Sequence, residues 1–356
     1  QKFYNSKTLY NNKSVKDVLR DVLSHINFAS KKWIYEQYDS SVMGDTIFTS
    51  NKSDASVIKI HKSEKNNFSG KGIAISTDCT SRFVANDPLT GGMLAVIEAA
   101  RNLACSGAKP LAVTNNLNFG NPEKKEIMGQ IVGAIKGIKK SCKYLNTPVV
   151  SGNVSFYNET KDKGIKPTPS IGGVGIIKNY KKMISMELQK EGNLILVIGK
   201  TEGHLEQTIF AREILSEKKG PPPEINLFNE KNNGLTVSKL IKDNLIESCH
   251  DVSLGGILVA ASKMCVKSNK GMKINNLKNL MNKFEYFFSE DQGRYLVEIN
   301  KDNFKKVEKV LIDNSVHFDE LGVVNNDKIL FSDEINLSIE DLIKAYKNWL
   351  KKYMVN

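Results

Sequence analysis

The sequence has few of the residues that would build a disulfide framework or a membrane span. Its 356 residues include five cysteines, an odd number without a C-x-x-C pair, which is not typical of a disulfide-stapled secreted domain. Long apolar runs are also lacking, because no stretch approaches the ~18 consecutive apolar residues of a transmembrane helix. We therefore expect a protein of the reducing cytoplasm that has no membrane partner.

We expect no export signal, since no charged and apolar leader follows Gln1. We expect that the chain begins inside a longer protein or after processing. Hydrophobic residues make up 40% of the chain and charged residues 25%, which is typical of globular proteins. At roughly 150 residues per domain, the length predicts about two domains.

Positive charge is in excess, but it lacks the pattern of a nucleic-acid-binding surface. Lys and Arg number 51 against 39 Asp and Glu, a net charge of +12. The lysines are spread along the chain with modest clusters at 136–143 and 178–182, and there is neither an arginine-rich arm nor a basic stripe with interleaved aromatics. We expect no nucleic-acid partner, and a basic surface also suits small phosphorylated substrates.

Apolar periodicity predicts strands and helices that alternate along the chain, a mixed α and β class. The clearest helix is predicted over 91–106, with Thr90 as its cap and two glycines at its start. A short strand at 111–114 is predicted to run into an asparagine-rich loop. Further elements are predicted with these bounds: a strand at 72–76 that ends in Thr77-Asp78, helices at 127–145 and 237–244, and a buried strand at 194–198. A lysine-rich stretch near 180–192 indicates a boundary between two units.

The first polar motif follows a predicted strand at 148–151. A strand that ends in Gly-Asn leaves main-chain amides for an anion, and Gly152 permits close approach of a phosphate. The Asn153 carbonyl is a hard oxygen ligand of the kind Mg²⁺ takes, and the Ser155 hydroxyl can donate to a substrate oxygen. A polar hairpin turn without a ligand is the alternative.

The second motif is the asparagine-rich run that starts at Asn115. The asparagine side chains could donate hydrogen bonds to an adenine or a phosphate. Asparagine is also common in turns that bind no ligand. On the 91–106 helix, Glu98 and Asn102 share one face and offer oxygens to a metal, or they form an exposed polar face.

The last motif, at 250–256, precedes a predicted helix. Asp251 could hold Mg²⁺, and Ser253 could cap the helix or bind phosphate. The alternative interpretation is a helix cap that binds no ligand.

These motifs occur together in one order, and the chain resembles the C-terminal half of phosphoribosylformylglycinamidine synthase of the PurL type. That family belongs to the aminoimidazole ribonucleotide synthetase-like (PurM-like) superfamily. The resemblance runs from about residue 33 to about residue 350. It is most specific in five stretches: Thr77-Asp-Cys-Thr-Ser-Arg82, the run from Glu98 to Thr114, Leu117-Asn-Phe-Gly-Asn-Pro-Glu123, Gly152-Asn-Val-Ser155 and His250-Asp-Val-Ser-Leu-Gly-Gly256.

The resemblance implies an ATP-dependent, amidine-forming ligase of purine biosynthesis. The family converts formylglycinamide ribonucleotide to its amidine, using ATP, Mg²⁺ and ammonia from glutamine. By motif, Asn115 and Gly152 would contact ATP, Asn153 would hold Mg²⁺, and Ser155 would touch the substrate. Relatives often carry Asp at the position of Asn115. This chain therefore lacks the negative charge that those relatives have beside ATP.

The family also consists of two similar halves, and its larger members hold a structural ADP at a second nucleotide site. The matching positions of that auxiliary nucleotide and Mg²⁺ site are Asp54, Glu98, Asn102, Asp251 and Ser253.

Several parts of the family are absent from this chain. The catalytic His, the ATP-binding Lys and the Mg²⁺-binding carboxylates belong to the family's first half, and the glutaminase elbow Gly-x-Cys-x-Gly is also missing. The resemblance therefore implies no catalytic residue in this half. The implied partners are the missing N-terminal half and a glutaminase domain or subunit, with a small accessory subunit in split systems. We expect the chain to be inactive alone.

The implied architecture has two leading helices at 1–34, a PurM N-terminal-like domain at 35–185 and a PurM C-terminal-like α/β sandwich at 186–356. The first domain would contribute half of a central β-barrel. Because that strand face would be uncovered here, we expect a homodimer. Two alternatives stay open: a non-catalytic, nucleotide-binding structural half, and a related PurM-like phosphotransferase.

Overall fold

The computed structural model describes residues 13–38, 40–41, 44–48, 52–62, 68–275 and 281–355. Its contacts divide the chain into two compact units. Unit 1 comprises Gln1–Gly44, Met186–Gly220 and Asn244–Asn356, and unit 2 comprises Asp45–Ser185 and Pro221–Asp243. The contiguous bounds expected above, 1–34, 35–185 and 186–356, stay a prediction.

Helices and strands are interspersed along the described residues. The helices are α1 (Val15–Ser24), α2 (Lys32–Tyr35), α3 (Ser81–Asn86), α4 (Pro88–Cys105), α5 (Lys125–Leu145), α6 (Leu227–Lys242), α7 (Gly256–Ser268), α8 (Lys283–Phe288), α9 (Phe304–Asp313) and α10 (Ile339–Val355). The strands are β1 (Thr46–Phe48), β2 (Ser56–His61), β3 (Phe68–Asp78), β4 (Lys109–Asn118), β5 (Val149–Ser155), β6 (Glu159–Thr160), β7 (Lys163–Gly164), β8 (Thr168–Ile177), β9 (Leu194–Ile198), β10 (Ser248–Val252), β11 (Gly271–Ile274), β12 (Arg294–Ile299), β13 (Phe318–Asn325), β14 (Ile329–Ser332) and β15 (Ile335–Ser338). Among the helices of the described residues, none combines the length and apolarity needed to cross a membrane.

Unit 2 is built on a six-stranded sheet of order β1-β2-β3-β8-β4-β5. Its pairs are antiparallel except for β4 and β5, which are parallel. Successive side chains of a strand point to opposite faces, and β8 accordingly alternates between fully buried and half-buried residues. Helices α4 and α5 cover one face, where Ile171 and Val113 pack among their apolar side chains.

Glycines let α4 and α5 pack closely. A Cβ on Gly92 would lie 2.4 Å from the Ala134 carbonyl oxygen of α5, and one on Gly137 would lie 2.1 Å from the Leu89 carbonyl oxygen of α4. Any side chain at either position would therefore push the two helices apart.

The other face of this sheet carries exposed apolar side chains, and we call it the outer face. Ile58, Ile73 and Ile75 are 37%, 37% and 40% exposed. Ile73 pairs across the strands with Ile176, and Ile75 pairs with Val174. The sheet stays open, with β1 and β5 at its edges among the described residues.

Unit 1 contains a seven-stranded sheet of order β10-β12-β9-β13-β11-β14-β15. Strand β9 is an interior strand that pairs antiparallel with β12 and β13, and its apolar run is almost wholly buried. Helix α1 buries Val15, Leu19 and Val22 in the same core as α7 and this sheet. Because its apolar residues share one face, helix α1 covers one side of the core of unit 1.

Buried carboxylates fix the loops of unit 1. Asp291 accepts the main-chain N–H groups of Glu202, Gly203 and His204 at 2.9–3.0 Å, which holds the segment after β9. The Arg294 guanidinium, also buried, lies 3.8 Å from Asp291. A buried carboxylate that accepts several N–H groups keeps its hydrogen-bonding capacity satisfied away from water.

Candidate functional site

The first two polar motifs lie side by side in the parallel pair β4–β5. Asn115 is in register with Gly152, Asn116 with Asn153, and Asn118 with Ser155. The predicted asparagine-rich loop was wrong as far as Asn118, because these asparagines are strand residues paired on both sides. The hairpin-turn alternative for 151–155 is wrong for the same reason, since β5 continues to Ser155.

The predicted ATP and Mg²⁺ residues lie on opposite faces of the sheet. Asn115 pairs with the fully buried Ile171, so Asn115 and Gly152 lie on the face that the helices cover. Asn153 and Ser155, one residue out of phase, belong to the outer face. Because β5 is an edge strand, a ligand that contacts both pairs must pass around its edge.

The contact between Asn115 and Gly152 requires glycine. A Cβ on Gly152 would lie 2.1 Å from Asn115 Oδ1 and 3.1 Å from the Asn115 carbonyl oxygen. Real Cβ atoms do not approach this closely, so any side chain at 152 would displace the Asn115 amide or separate the strands. This steric constraint gives Gly152 a defined role beside the candidate nucleotide contact.

Neighbouring side chains orient Asn153 and Ser155. Asn153 Nδ2 donates to Asn116 Oδ1 at 3.1 Å, so this contact uses the nitrogen of the Asn153 amide and not its oxygen. Asn158 Nδ2 donates to the main-chain oxygen of Ser155 at 2.9 Å and to its hydroxyl at 3.1 Å. Sequence reasoning missed Asn116 and Asn158 as positioning residues, although both stand within the motifs it singled out.

A second polar residue, Asp78, lies on the helix-covered face. Asp78, the last residue of β3, pairs with Ile171, which in turn pairs with Asn115. The side chain of Asp78 therefore points to the same face as Asn115, two strands away. Sequence reasoning did not select Asp78, although it marked this residue as a strand end.

The start of α4 differs from the prediction. Asp87 is the N-cap, and its side chain accepts hydrogen bonds from the N–H groups of Leu89 and Thr90. Pro88 is the first residue of the helix. Thr90 is thus inside the helix. Gly91 and Gly92 also lie inside the helix and pack against the main chain of Val84 and Ala134.

On α4, Glu98 belongs to a buried cluster of charges. Its carboxylate lies 3.8 Å from the guanidinium of Arg101, which lies 4.0 Å from the carboxylate of Glu230 on α6. Arg101 and Glu230 are almost wholly buried and Glu98 nearly so. The predicted exposed polar face is therefore wrong for Glu98, and the cluster ties α4 to α6. Asn102 is half-buried on the same helix.

Two acids, Asp78 and Glu98, act on the thiol of Cys79. Burial, together with the negative charges of Asp78 and Glu98, raises its pKa to about 12. The thiol is the nucleophile only as thiolate. We expect Cys79, although half-exposed, to react with iodoacetamide at pH 8 at least tenfold more slowly than an ordinary free cysteine of pKa about 8.5. Mass spectrometry of timed samples measures the rate, and alkylation at the rate of free cysteine would contradict the assignment.

The remaining predicted residues are divided between the units. Asp54 belongs to unit 2, and Asp251 and Ser253 belong to unit 1. Asp251 is buried on β10, with its carboxylate 3.6 Å from the ring of His250. Ser253 is not the cap of α7: Gly255 takes that position with φ +82°, and Glu290 accepts its N–H at 3.0 Å.

The donor set at β4–β5 fits a magnesium nucleotide only in part. Asn153 and Asn116 offer neutral amide oxygens, which Mg²⁺ accepts as hard ligands. Neutral amides do not balance the charge of the ion, so the phosphates of a nucleotide and water would complete its coordination. These residues therefore fit Mg²⁺ that arrives with a nucleotide, rather than a permanently held ion.

Two domain families match the chain. The AIR synthase related protein N-terminal domain matches residues 52–177, and its C-terminal domain matches residues 190–333. The chain belongs to the AIR synthase related protein family. This match confirms the PurM-like superfamily and the mixed α and β class that the motifs predicted.

Within this family the chain is similar to PurL subunits. It is 55% identical over 342 residues to phosphoribosylformylglycinamidine synthase subunit PurL of Pelagibacter ubique, a match that covers 96% of this chain and 46% of that protein. It is 41% identical over 340 residues to the PurL subunit of Bartonella bacilliformis, covering 96% and 45%. The chain spans about half the length of the curated relatives it matches.

The fold is similar to that of Thermotoga maritima PurL complexed with FGAR. The TM-score is 0.71 at 17% identity, and the match covers 93% of this chain and 53% of that structure. At this identity the likeness shows the fold alone, and it confirms the predicted fold class.

Proposed function

We propose that the chain is the C-terminal half of a PurL-type phosphoribosylformylglycinamidine synthase. The whole enzyme would convert formylglycinamide ribonucleotide, ATP and glutamine-derived ammonia to formylglycinamidine ribonucleotide, ADP and phosphate. The observation that carries the proposal is the 55% identity to a PurL subunit across 96% of the chain. The register of β4 and β5, which aligns the motif residues in pairs, supports it.

In this proposal the two faces at the edge of β5 have different tasks. Gly152 leaves room for the Asn115 amide beside the main chain of β5, and both residues would contact the nucleotide. Asn153 would offer Oδ1 to Mg²⁺, and the Ser155 hydroxyl would hydrogen-bond the substrate. When bound, Mg²⁺-ATP supplies a phosphoryl group that makes the amide oxygen of the substrate a good leaving group.

The auxiliary nucleotide site remains part of the proposal, with Asp54, Glu98, Asn102, Asp251 and Ser253 as its residues. The contact between Glu98 and Arg101 favours a structural task for Glu98, because a guanidinium at 3.8 Å competes with a metal ion for the carboxylate. We further propose a cytoplasmic location, which the free thiols of all five cysteines support.

The catalytic groups would come from partners: the N-terminal half of the same enzyme and a glutaminase domain or subunit, with a small accessory subunit in split systems. An assay with ammonium chloride in place of glutamine tests this. The chain alone is expected to form no amidine, and adding the remaining segment of the Pelagibacter ubique relative, expressed separately, is expected to restore turnover. Turnover by the chain alone, or its absence in the mixture, would contradict the proposal.

The exposed outer face of unit 2 predicts that the isolated chain forms a homodimer through Ile58, Ile73 and Ile75. The variant Ile73→Glu is expected to be a monomer by light scattering at micromolar concentration, because a carboxylate would be buried in the apolar interface. The control Ile312→Glu places the same charge on α9, where Ile312 is 62% exposed, and should stay dimeric. A monomeric parent chain would contradict the prediction.

A further inference from the structure

Unit 1 contains a cavity of about 440 Å³ that belongs to none of the motifs described above. Its walls come from α1 and the residues next to it, from a π-helical turn at Phe210–Ile214, and from α10. The volume falls within the range of roughly 300–1,000 Å³ that small-molecule sites have. A π-helical turn is a rare element that is often found at functional sites. The chemistry of the walls therefore indicates what the cavity can hold.

Hydrogen bonds orient the carboxylate of Glu213, which lines the cavity from the π-helical turn. The ring Nδ1 of His25 accepts the main-chain N–H of Asn27 at 3.3 Å, so in the neutral ring the hydrogen is on Nε2. That Nε2 faces Glu213 Oε2 at 3.6 Å, and Asn27 Nδ2 donates to Glu213 Oε1 at 3.3 Å. The Glu213 side chain is 26% exposed, so the network holds a largely buried anion at the cavity wall.

A second carboxylate, that of Asp21 on α1, lines the same cavity. Within the described part of the chain, neither Asp21 nor Glu213 is paired with a lysine or an arginine. Lys13 also lines the cavity, but it stands eight residues before Asp21, which is about 12 Å along the axis of α1. The cavity therefore has two carboxylates that a cationic ligand could neutralise.

The remaining wall is apolar and aromatic. Ile26, Ile214 and the half-buried Trp349 of α10 contribute to it. The indole ring of Trp349 is stacked on Tyr353, with 5.1 Å between the ring centroids and 12° between the planes, which fixes its orientation. Indole is also the aromatic ring that attracts cations most strongly. Carboxylates beside such a wall suit a positively charged group attached to an apolar body.

We propose that this cavity binds a small organic ammonium, a primary amine with an aromatic or aliphatic body. The ammonium group would donate hydrogen bonds to Glu213 and Asp21, and the body would pack against Trp349, Ile26 and Ile214. A carboxylate of the same shape would face two like charges and would be excluded. All of these residues belong to unit 1, so the site does not depend on the nucleotide proposed for unit 2.

The test is a calorimetric titration of the full chain with three small molecules that share a phenyl ring and differ in charge. They are phenethylamine, 2-phenylethanol and phenylacetate, each at pH 8 in 0.15 M salt. Phenethylamine is expected to bind with a dissociation constant of about 1 mM or lower, 2-phenylethanol at least tenfold more weakly, and phenylacetate not at all. Equal binding of the alcohol or the acid, or no binding of the amine, would overturn the proposal.

Matched variants place the ammonium in the cavity. Glu213→Gln keeps the size of the side chain and is expected to weaken phenethylamine binding at least tenfold, and Asp21→Asn at least threefold. The control Asp17→Asn removes a carboxylate one turn earlier on α1, where it is exposed beside Arg20, and should leave the affinity unchanged. Unchanged affinity in both Glu213→Gln and Asp21→Asn would overturn the proposal. Circular dichroism checks that each variant is folded.

Tryptophan fluorescence provides a second measurement at the same site. The chain has two tryptophans, so the variant Trp33→Phe leaves Trp349 as the only one. Phenethylamine is expected to change the emission of Trp349 with the dissociation constant that calorimetry gives, because the ligand would pack on this ring. Calorimetric binding that leaves the Trp349 emission unchanged would contradict the assignment of the ligand to this cavity.

Discussion

The variant Arg101→Met is expected to lower the free energy of unfolding by about 3–5 kcal/mol, since removing one partner of a buried ion pair leaves an uncompensated charge. Arg101 lies 3.8 Å from the Glu98 carboxylate and 4.0 Å from that of Glu230. Methionine fills much of the space of the arginine stem but carries no charge. Glu98 and Glu230 would then remain buried and negatively charged without the guanidinium that both of them contact. Denaturant unfolding followed by circular dichroism measures the loss.

Two further variants make this test specific. The double variant Arg101→Met with Glu230→Gln removes one of the two acids and is expected to recover part of the loss. The control Arg20→Met removes an arginine from an exposed pair, in which Arg20 lies 4.0 Å from Asp17, and should cost under about 1 kcal/mol. If Arg101→Met cost no more than this control, the buried cluster would not be what ties α4 to α6.

The variant Glu298→Ala is expected to lower the stability of unit 1 by several kcal/mol. Glu298 is fully buried and accepts four hydrogen bonds, from the N–H groups of Gln189 and Lys190, from Asn193 Nδ2 and from Ser248 Oγ, at 2.7–3.0 Å. Alanine would leave these donors without their acceptor, at about 1–3 kcal/mol for each group that stays buried. The variant Glu298→Gln keeps the size of the side chain and one acceptor oxygen. Its stability should therefore lie between that of the parent chain and that of Glu298→Ala.

The stability of the parent chain relative to Glu298→Gln should also depend on pH. Burial raises the pKa of Glu298 above its usual 4.5 and outweighs the hydrogen bonds that lower it. In the window between the unfolded and the raised folded pKa, the folded chain binds more protons than the unfolded chain, so stability falls as pH rises. The advantage of the parent over Glu298→Gln is therefore largest below the unfolded pKa and shrinks above it. A constant advantage from pH 4 to pH 8 would show that the carboxyl has no raised pKa.

The sequence predicted the elements whose apolar pattern is strong. Strand β9 has the predicted bounds, Leu194–Ile198, because a continuous apolar run between turn residues admits few other structures. Helix α5 begins only two residues before its predicted start at 127. The family and the fold class followed from several motifs in one order, and the comparisons confirm both.

The sequence misled where tertiary pairing overrides local preference. Asparagine and glycine usually favour turns, yet the run from Asn115 to Asn118 and the segment around Gly152 are strands, since each completes the pairing of the other. Helix α6 begins at Leu227, ten residues before the predicted start at 237, because its polar first half shows no clear apolar period. The charge cluster of Arg101 and Glu230 joins residues distant in sequence, which one sequence cannot reveal.

The central claim is that the β4–β5 pair holds a magnesium nucleotide, and a calorimetric titration of the chain with Mg²⁺-ATP tests it most directly. The matched variants are Gly152→Ala, whose Cβ would meet Asn115 Oδ1 at 2.1 Å, and Gly129→Ala, whose Cβ would meet no atom within 4 Å. We predict that the parent chain and Gly129→Ala bind equally and that Gly152→Ala loses at least tenfold in affinity. Equal binding by all three proteins, or binding by none, would contradict the account.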